Sequence, residues 1–414
     1  MKIVIIGAGP AGVTVAQTLR QYDQQVEIVM LSSEPFPPYS PPAMVEYFAT
    51  GRPVHLWKGN DFPQRMGIDY RQGVEVVRVE PTRRTVRLAG GGEESYDELV
   101  IAAGGRLYAA GLEEHGPITG EGVYNFKSLS AAEELLGRVR RGEARTALIV
   151  GAGFIGVEIA LLLREMGLEV TQLVRSRVMR VMLDPETSEM VLGMLEARGV
   201  CTRRGDDADA VAFVGEPRAE AVKMRSGDVV SADLLVAATG LRPNIEFLKD
   251  SGIEMAWGVV VDDHLRTNLP HIYAAGDVAE TFDRLTGERY VHAIFPNAVA
   301  QGTVVAYNLL GWDTAYEGAD NMNSLKHLGL PLMAVGQMEG EELRVRKDGV
   351  LRKIYLRDDR IVGFRLTGDV GGAGIYRSLM NKHADVGPFK HRLLERGFGM
   401  GLIEESARSA LSIG

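Results

Sequence analysis

The sequence predicts an α/β fold with two parallel-sheet domains and a smaller α+β domain toward the C-terminal end. Three observations lead there. A β-branched run enters a Gly-x-Gly-x-x-Gly turn twice, at Lys2–Ile6 and at Thr146–Val150. Each turn is followed by a helical pattern and then by a second buried strand, the arrangement of a Rossmann-like unit. Finally, a short apolar strand ending in small residues occurs twice, at Leu99–Gly105 and Leu234–Gly240, where the chain would cross between domains.

The first unit runs from the strand into Gly7-Ala8-Gly9-Pro10-Ala11-Gly12, then a helix marked by Val13, Ala16 and Leu19, then a strand at Val26–Leu31. The second runs from its strand into Gly151-Ala152-Gly153-Phe154-Ile155-Gly156. Its helix is expected over Val157 to Met166 with Gly167 as the stop, followed by a strand at Val170–Val174. One such turn is weak evidence, but two in strand–turn–helix context point to two bound dinucleotides. The first glycine makes the tight turn, the second admits a pyrophosphate, and the third lets helix and strand pack closely. Further on, Thr267–Val278 reads as a strand ending in a Gly276-Asp277 turn, whose carboxylate suits sugar-alcohol hydroxyls.

Composition narrows the function classes. The chain has 414 residues and a net charge of -9, which argues against nucleic-acid binding. Residues 318–414 nevertheless carry 15 Lys+Arg against 12 Asp+Glu, a basic-leaning area suited to an acidic partner. Cys201 is the one cysteine, so a disulfide within the chain is impossible and a cytoplasmic setting is expected. The N-terminal apolar run is too short for a signal peptide, and no stretch approaches a membrane span, so membrane insertion is not expected. His264, His292 and His327 stand apart in the sequence, and no metal site is expected.

With these motifs in this order, the chain resembles the FAD-dependent pyridine-nucleotide oxidoreductases over essentially its whole length. That family includes glutathione reductase, rubredoxin reductase, the flavin part of assimilatory nitrite reductase and the ferredoxin reductases of oxygenase systems. The resemblance implies that Gly7, Gly9, Pro10, Ala11 and Gly12 hold FAD, with Glu34 on its adenosine ribose and Asp277, after Gly276, on its ribityl chain. It implies that Ala103, Gly104 and Arg106 at one crossover and Gly240 at the other also take part in cofactor binding. Gly151, Gly153, Phe154, Ile155 and Gly156 would hold the nicotinamide cofactor, Phe154 gating its pocket and Glu158 lying near its ring. The helix beginning Phe295-Pro296-Asn297-Ala298 would aim the backbone groups of Asn297 and Ala298 at the flavin. Leu325 to Leu402 resembles the last domain of the rubredoxin-reductase branch, with strands near Leu343–Arg346, Leu351–Leu356 and Ile361–Thr367 followed by helices.

The chain also departs from the family pattern. Ser40-Pro41-Pro42-Ala43-Met44 stands where disulfide reductases and NADH oxidases carry redox cysteines, so FAD is expected to be the only redox centre. Pro41 and Glu46 replace the cations usual beside the flavin in the ferredoxin-reductase branch, leaving Lys58 as a substitute. After the strand at Val170–Val174, Arg175 and Arg177 replace the acid of NAD-specific relatives, which favours NADP(H) over NAD(H).

These readings combine into an NAD(P)H oxidoreductase without a redox-active disulfide, passing electrons to an iron–sulfur protein such as a ferredoxin or rubredoxin. The alternatives are an NAD(P)H oxidase or quinone reductase, or a flavin-containing sensing or electron-transfer subunit. The expected domains are 1–112 with 242–317 for FAD, 113–241 for NAD(P), and 318–414 as an α+β interface domain. A homodimer or a larger redox complex is expected.

Overall fold

The computed structural model of the chain describes residues 1–108, 112, 122–325, 329, 331–399 and 401. His327 and Leu402 lie outside the described residues. The α/β architecture with two Rossmann-like parallel sheets is present, and the chain divides into two compact units.

The first unit comprises residues 1–110, 123–143 and 239–320. Its sheet places Lys2–Ile6 at the centre, with Glu27–Ser32 and then Asp69–Gln72 on one side. Glu98–Ile101 and then Ile272–Ala274 lie on the other, and every pairing is parallel. Ile3, Val4 and Ile5 are fully buried, as a strand covered on both faces requires. Helix Pro10–Tyr22 starts on a proline, which loses nothing at a position whose N–H has no helical partner. It packs against helix Phe295–Leu309 so closely that a Cβ on Gly302 would sit 2.6 Å from the Ala11 carbonyl oxygen. The two crossover segments pair with each other as an antiparallel ribbon, Gly105–Tyr108 with Gly240–Pro243.

The second unit comprises residues 111–122, 144–238 and 321–414. Its parallel strands run in the order Val200–Arg204, Glu169–Val174, Thr146–Val150 and Leu234–Ala237. Helix Phe154–Glu165 begins three residues before the expected Val157, because Gly153 is itself the N-cap. The same unit holds a five-stranded antiparallel sheet in the order Met322–Leu325, Leu332–Gly336, Arg360–Thr367, Val350–Arg357 and Glu341–Lys347. Helix Ala373–Asn381 and a 3-10 segment at Gly387–Arg392 follow it. Three of these strands match the sequence expectation, and the two short ones before them did not show in the pattern. Cys201 lies on the outer parallel strand and is exposed. No described helix is long and apolar enough to cross a membrane.

Candidate dinucleotide sites

The two glycine loops have the same local physics. Gly7 adopts φ +109°, and a Cβ there would strike the Ala102 carbonyl oxygen at 2.2 Å. Gly12 sits against the Gly7 carbonyl, where a Cβ would come within 2.2 Å of the oxygen. Gly9 is different: a Cβ would meet nothing within 4 Å. The first helical hydrogen bond runs from the Val13 N–H to the Gly9 carbonyl, so the N–H groups of Ala11 and Gly12 precede the helical ladder beside that open space. The second loop repeats the pattern. Gly151 has φ +115°, Gly156 is held against the Gly151 carbonyl, and Gly153 faces open space. Val157 there closes the first helical hydrogen bond, leaving the amides of Phe154, Ile155 and Gly156 ahead of the ladder. Both loops therefore fit a pyrophosphate.

In the first unit, close packing of small residues gathers the other candidates. Gly276, at φ +80°, would bring a Cβ to 3.1 Å from the Ala11 Cβ, and its N–H donates to the buried Gln301 side chain at 2.7 Å. Asp277 thus starts beside the first glycine loop. Its carboxylate accepts from Lys127 Nζ at 2.6 Å, with both side chains mostly buried. Glu34 lines a pocket with Gly9, Ser32, Pro38, Tyr39 and Tyr70. Its carboxylate is oriented from both sides: Tyr39 donates at 2.5 Å, and Ser130 donates through its N–H at 2.9 Å and its hydroxyl at 2.8 Å. Burial and the neighbouring Glu34 charge raise the Tyr39 phenol far above its ordinary range, so it stays a donor. Lys127 and Ser130 flank the start of helix Leu129–Arg140, and sequence reading singled out neither.

Two expectations need revision. The Ala298 N–H is spent on the Ile294 carbonyl at 3.1 Å, because Ile294 is the N-cap of helix Phe295–Leu309. The N–H groups of Phe295 and Asn297 are the ones ahead of the ladder. The Asn297 amide side chain is buried and exchanges hydrogen bonds with the Asp320 backbone, at 2.9 and 3.0 Å. Arg106 is exposed and bound to Glu246 and to Asn244, whose amide in turn donates to the Ala103 carbonyl at 2.9 Å. This ties the crossover ribbon together. Gly104, at φ +63°, precedes the first strand of the ribbon, and Gly240 opens the second.

The substitute cation is half-buried. Lys58 Nζ lies 4.1 Å from the Trp57 ring centroid, and Trp57 meets Phe295 edge-on at 5.1 Å, at the start of that helix. Burial, then Arg65, lowers the Lys58 pKa from its ordinary value.

In the second unit, Phe154 opens the helix and Glu158 follows one turn later; both are half-buried. Desolvation alone pushes the Glu158 carboxyl up to about 7. Beyond strand Glu169–Val174, Arg175 is exposed and lies 3.9 Å from Asp209. Arg177 is half-buried, donates to the Arg180 carbonyl at 3.1 Å, and keeps a buried Nε without a partner. Gln172, fully buried on the same strand, donates to the Gly151 carbonyl at 3.0 Å and so braces the second loop.

His264 is not isolated. Its ligand atoms and those of Asp262 and Asp263 lie within 4.8 Å of one another, and it is already paired with Asp263 and Asp313. His292 is half-buried with Nε2 unpartnered, and burial lowers its pKa.

Comparison with known proteins agrees with this geometry. The chain is 30% identical over 327 residues to an NADH oxidase of Methanocaldococcus jannaschii, covering 76% of this chain and 71% of that protein. It is 26% identical to the NADH-dependent phenylglyoxylate dehydrogenase subunit epsilon of Aromatoleum evansii, over 97% of this chain and 96% of that one. Two longer relatives from Bacillus subtilis are matched over only 48% and 51% of their length. Among solved structures, the ferredoxin reductase for the CYP199A2 system of Rhodopseudomonas palustris superposes with a TM-score of 0.85 at 26% identity, over 98% of this chain and 99% of that one. Residues 1–302 match the family model for pyridine nucleotide-disulphide oxidoreductases. The chain belongs to that family, whose members are flavoprotein oxidoreductases that use FAD and a nicotinamide cofactor.

Proposed function

We propose that this chain is an FAD-dependent NAD(P)H oxidoreductase that binds FAD on its first unit and NADPH, in preference to NADH, on its second. Electrons leave to an external iron–sulfur protein of the ferredoxin or rubredoxin type. The observation that carries this reading is the pair of glycines that face open space, Gly9 and Gly153, each beside helix amides ahead of the ladder. The dinucleotide-site residues named above, Ala298 and Arg106 excepted, are the proposed ligands, and the three-domain division belongs to the same proposal.

When bound, FAD supplies the redox chemistry, accepting a hydride from the nicotinamide and releasing electrons singly. The protein's part is to bind and orient. Ala11 and Gly12 offer N–H groups to the pyrophosphate, Glu34 and Asp277 offer carboxylates held by Ser130 and Lys127, and the amides opening helix Phe295–Leu309 offer partial positive charge. With one cysteine in the sequence, no disulfide within the chain takes part. The ferredoxin reductase among the structural relatives supports an iron–sulfur acceptor. The subunit matched end to end in Aromatoleum supports a second reading, an electron-transfer subunit of a larger complex.

The purified protein is mixed anaerobically with NADPH or NADH while the flavin absorbance is followed, and is then given ferredoxin or oxygen. Bleaching followed by fast reoxidation with ferredoxin supports the reductase reading. Fast turnover with oxygen alone makes it an oxidase, and a protein that cannot be loaded with FAD refutes both.

Two predictions attach here. Lys127→Met removes the hydrogen-bond donor that holds the Asp277 carboxylate in place, so FAD affinity falls by about tenfold, read by titrating the apoprotein. The second concerns Glu158, protonated below about 7 and ionised above it. Its ionised form is the better acceptor for a carboxamide N–H. The KM for the nicotinamide cofactor therefore falls as pH rises through about 7. Glu158→Gln flattens that profile, and an unchanged profile in the variant removes Glu158 from the cofactor site.

A further inference from the structure

The loop at 175–183 between strand Glu169–Val174 and helix Pro185–Ala197 has no regular structure of its own, yet it is tied at two points. Met179 is held at φ +50°, an uncommon conformation for a non-glycine residue that the surroundings must maintain. Its N–H donates to the Ala152 carbonyl, inside the second glycine loop, at 2.7 Å. The adjacent Val178 carbonyl accepts from Ser188 Oγ at 2.7 Å, and both residues are almost fully buried. Ser188 belongs to the first turn and a half of helix Pro185–Ala197, whose N-cap is Asp184.

Asp184 is where the C-terminal sheet enters. Lys353, on the strand between Glu341–Lys347 and Arg360–Thr367, is only 4% exposed. Its ammonium lies 2.7 Å from Asp184, 2.9 Å from Glu186 and 3.5 Å from Glu342. Burial works against the charge of both Lys353 and Asp184, yet their mutual hydrogen bond and further partners prevail. Lys353 is raised and Asp184 lowered from their ordinary values. Glu186, bonded first to Arg344 and then to Lys353, is brought down to about 2. A buried ammonium tolerates little displacement from its carboxylates, so the start of the helix is fixed to the sheet.

We propose that Lys353 is a positioning residue for the adenosine half of the nicotinamide cofactor. It acts through Asp184 and Ser188 to hold the 175–183 loop where Arg175 and Arg177 reach the ribose. This rests on the reading that the loop after strand Glu169–Val174 receives the cofactor's adenosine ribose. The contacts form one continuous series, from Lys353 to Asp184, along the helix start to Ser188, to the Val178 carbonyl, and through the Met179 N–H to the glycine loop. Nothing in the series touches the nicotinamide end, so the effect falls on binding.

The test uses adenosine 2′,5′-bisphosphate and 5′-AMP as probes, titrated calorimetrically into the FAD-loaded protein. Lys353→Met and Ser188→Ala each weaken the probes by about tenfold, and the double variant is no weaker than the worse single one, because both break the same series. Lys353→Arg restores most of the affinity, and kcat at saturating cofactor stays near that of the unchanged protein. Unchanged affinities, or losses that multiply in the double variant, overturn the proposal. If Lys353→Met does not fold, Ser188→Ala decides. Weaker binding with faster hydrogen exchange over residues 176–183 upholds the series, and unchanged binding ends it. A wild-type protein that binds the two probes equally refutes the 2′-phosphate assignment of Arg175 and Arg177, while 5′-AMP alone still decides the role of Lys353.

Discussion

Gly153→Val is expected to leave FAD on the purified protein and to abolish its bleaching by NADPH or NADH, whereas Gly9→Val is expected to give a folded protein without flavin. The two glycines are matched in structure: both are N-caps in extended backbone, with φ near -75°, which any residue adopts. Neither has a protein atom within 4 Å of its ideal Cβ, so the fold gains nothing from the absence of a side chain there. What a valine would fill is the space in front of the amides of Phe154, Ile155 and Gly156, or of Ala11 and Gly12. Losing two or three hydrogen bonds to a charged group, at about 1.5–3 kcal/mol each, weakens binding by 100-fold or more, on the order of 3 kcal/mol. The contrast with Gly12 makes the result interpretable. A Cβ there would meet the Gly7 carbonyl oxygen at 2.2 Å, so Gly12→Val lowers thermal stability as well as FAD content. Flavin content, melting temperature and anaerobic bleaching separate the cases. A Gly153→Val protein that still bleaches at wild-type cofactor concentrations removes the second loop from the nicotinamide site.

These loops were readable in the sequence because their physics is local. A strand, a turn that needs a positive φ, an open position and a close helix–strand contact fall within six consecutive residues, at Gly7–Gly12 and again at Gly151–Gly156. Asp277 was readable as a carboxylate at the end of a strand, where a ligand reaches a parallel sheet, and Glu34 through the family resemblance. What orients them was not. Ser130 lies 96 residues from Glu34, and Lys127 lies 150 residues from Asp277. No periodicity in the intervening chain links them. Contacts of this kind place residues 123–143 with the first unit.

The Ala298 revision has a different origin. The sequence marks a helix start by its proline, but which N–H groups remain ahead of the ladder depends on which residue is the cap. With Ile294 as the cap, Ala298 drops out of the expected pair and Phe295 joins Asn297 ahead of the ladder. Arg106 shows the same limit in another form. It was expected to take part in cofactor binding, yet the antiparallel ribbon with Gly240–Pro243 brings Glu246 and Asn244 within its reach. Lys58 was named only as a substitute. Its place above Trp57, beside the start of helix Phe295–Leu309, follows from a ring contact across more than two hundred residues.

Replacing Arg175 and Arg177 together by alanine is expected to lower kcat/KM for NADPH by about 100-fold, two charge-assisted hydrogen bonds' worth, and to leave NADH nearly unchanged. The two relatives described above carry NADH in their names, so the expectation rests on this chain's own residues. No acid ends strand Glu169–Val174, and Arg175 is left with 65% of its side chain exposed and only a 3.9 Å approach to Asp209. Asp209 is in turn engaged by Arg225 at 2.5 Å, so Arg175 is available to a dianion. Arg177 is better placed than an ordinary surface arginine, because its buried Nε and its bond to the Arg180 carbonyl limit where its remaining N–H groups can point. Arg175→Asp carries the argument one step further. A carboxylate at that position accepts from the ribose hydroxyls of NADH and repels the 2′-phosphate of NADPH, so the preference inverts instead of merely vanishing. If the NADPH to NADH ratio is the same in all three proteins, both arginines are solvated surface groups, and selection between the cofactors lies elsewhere in the second unit.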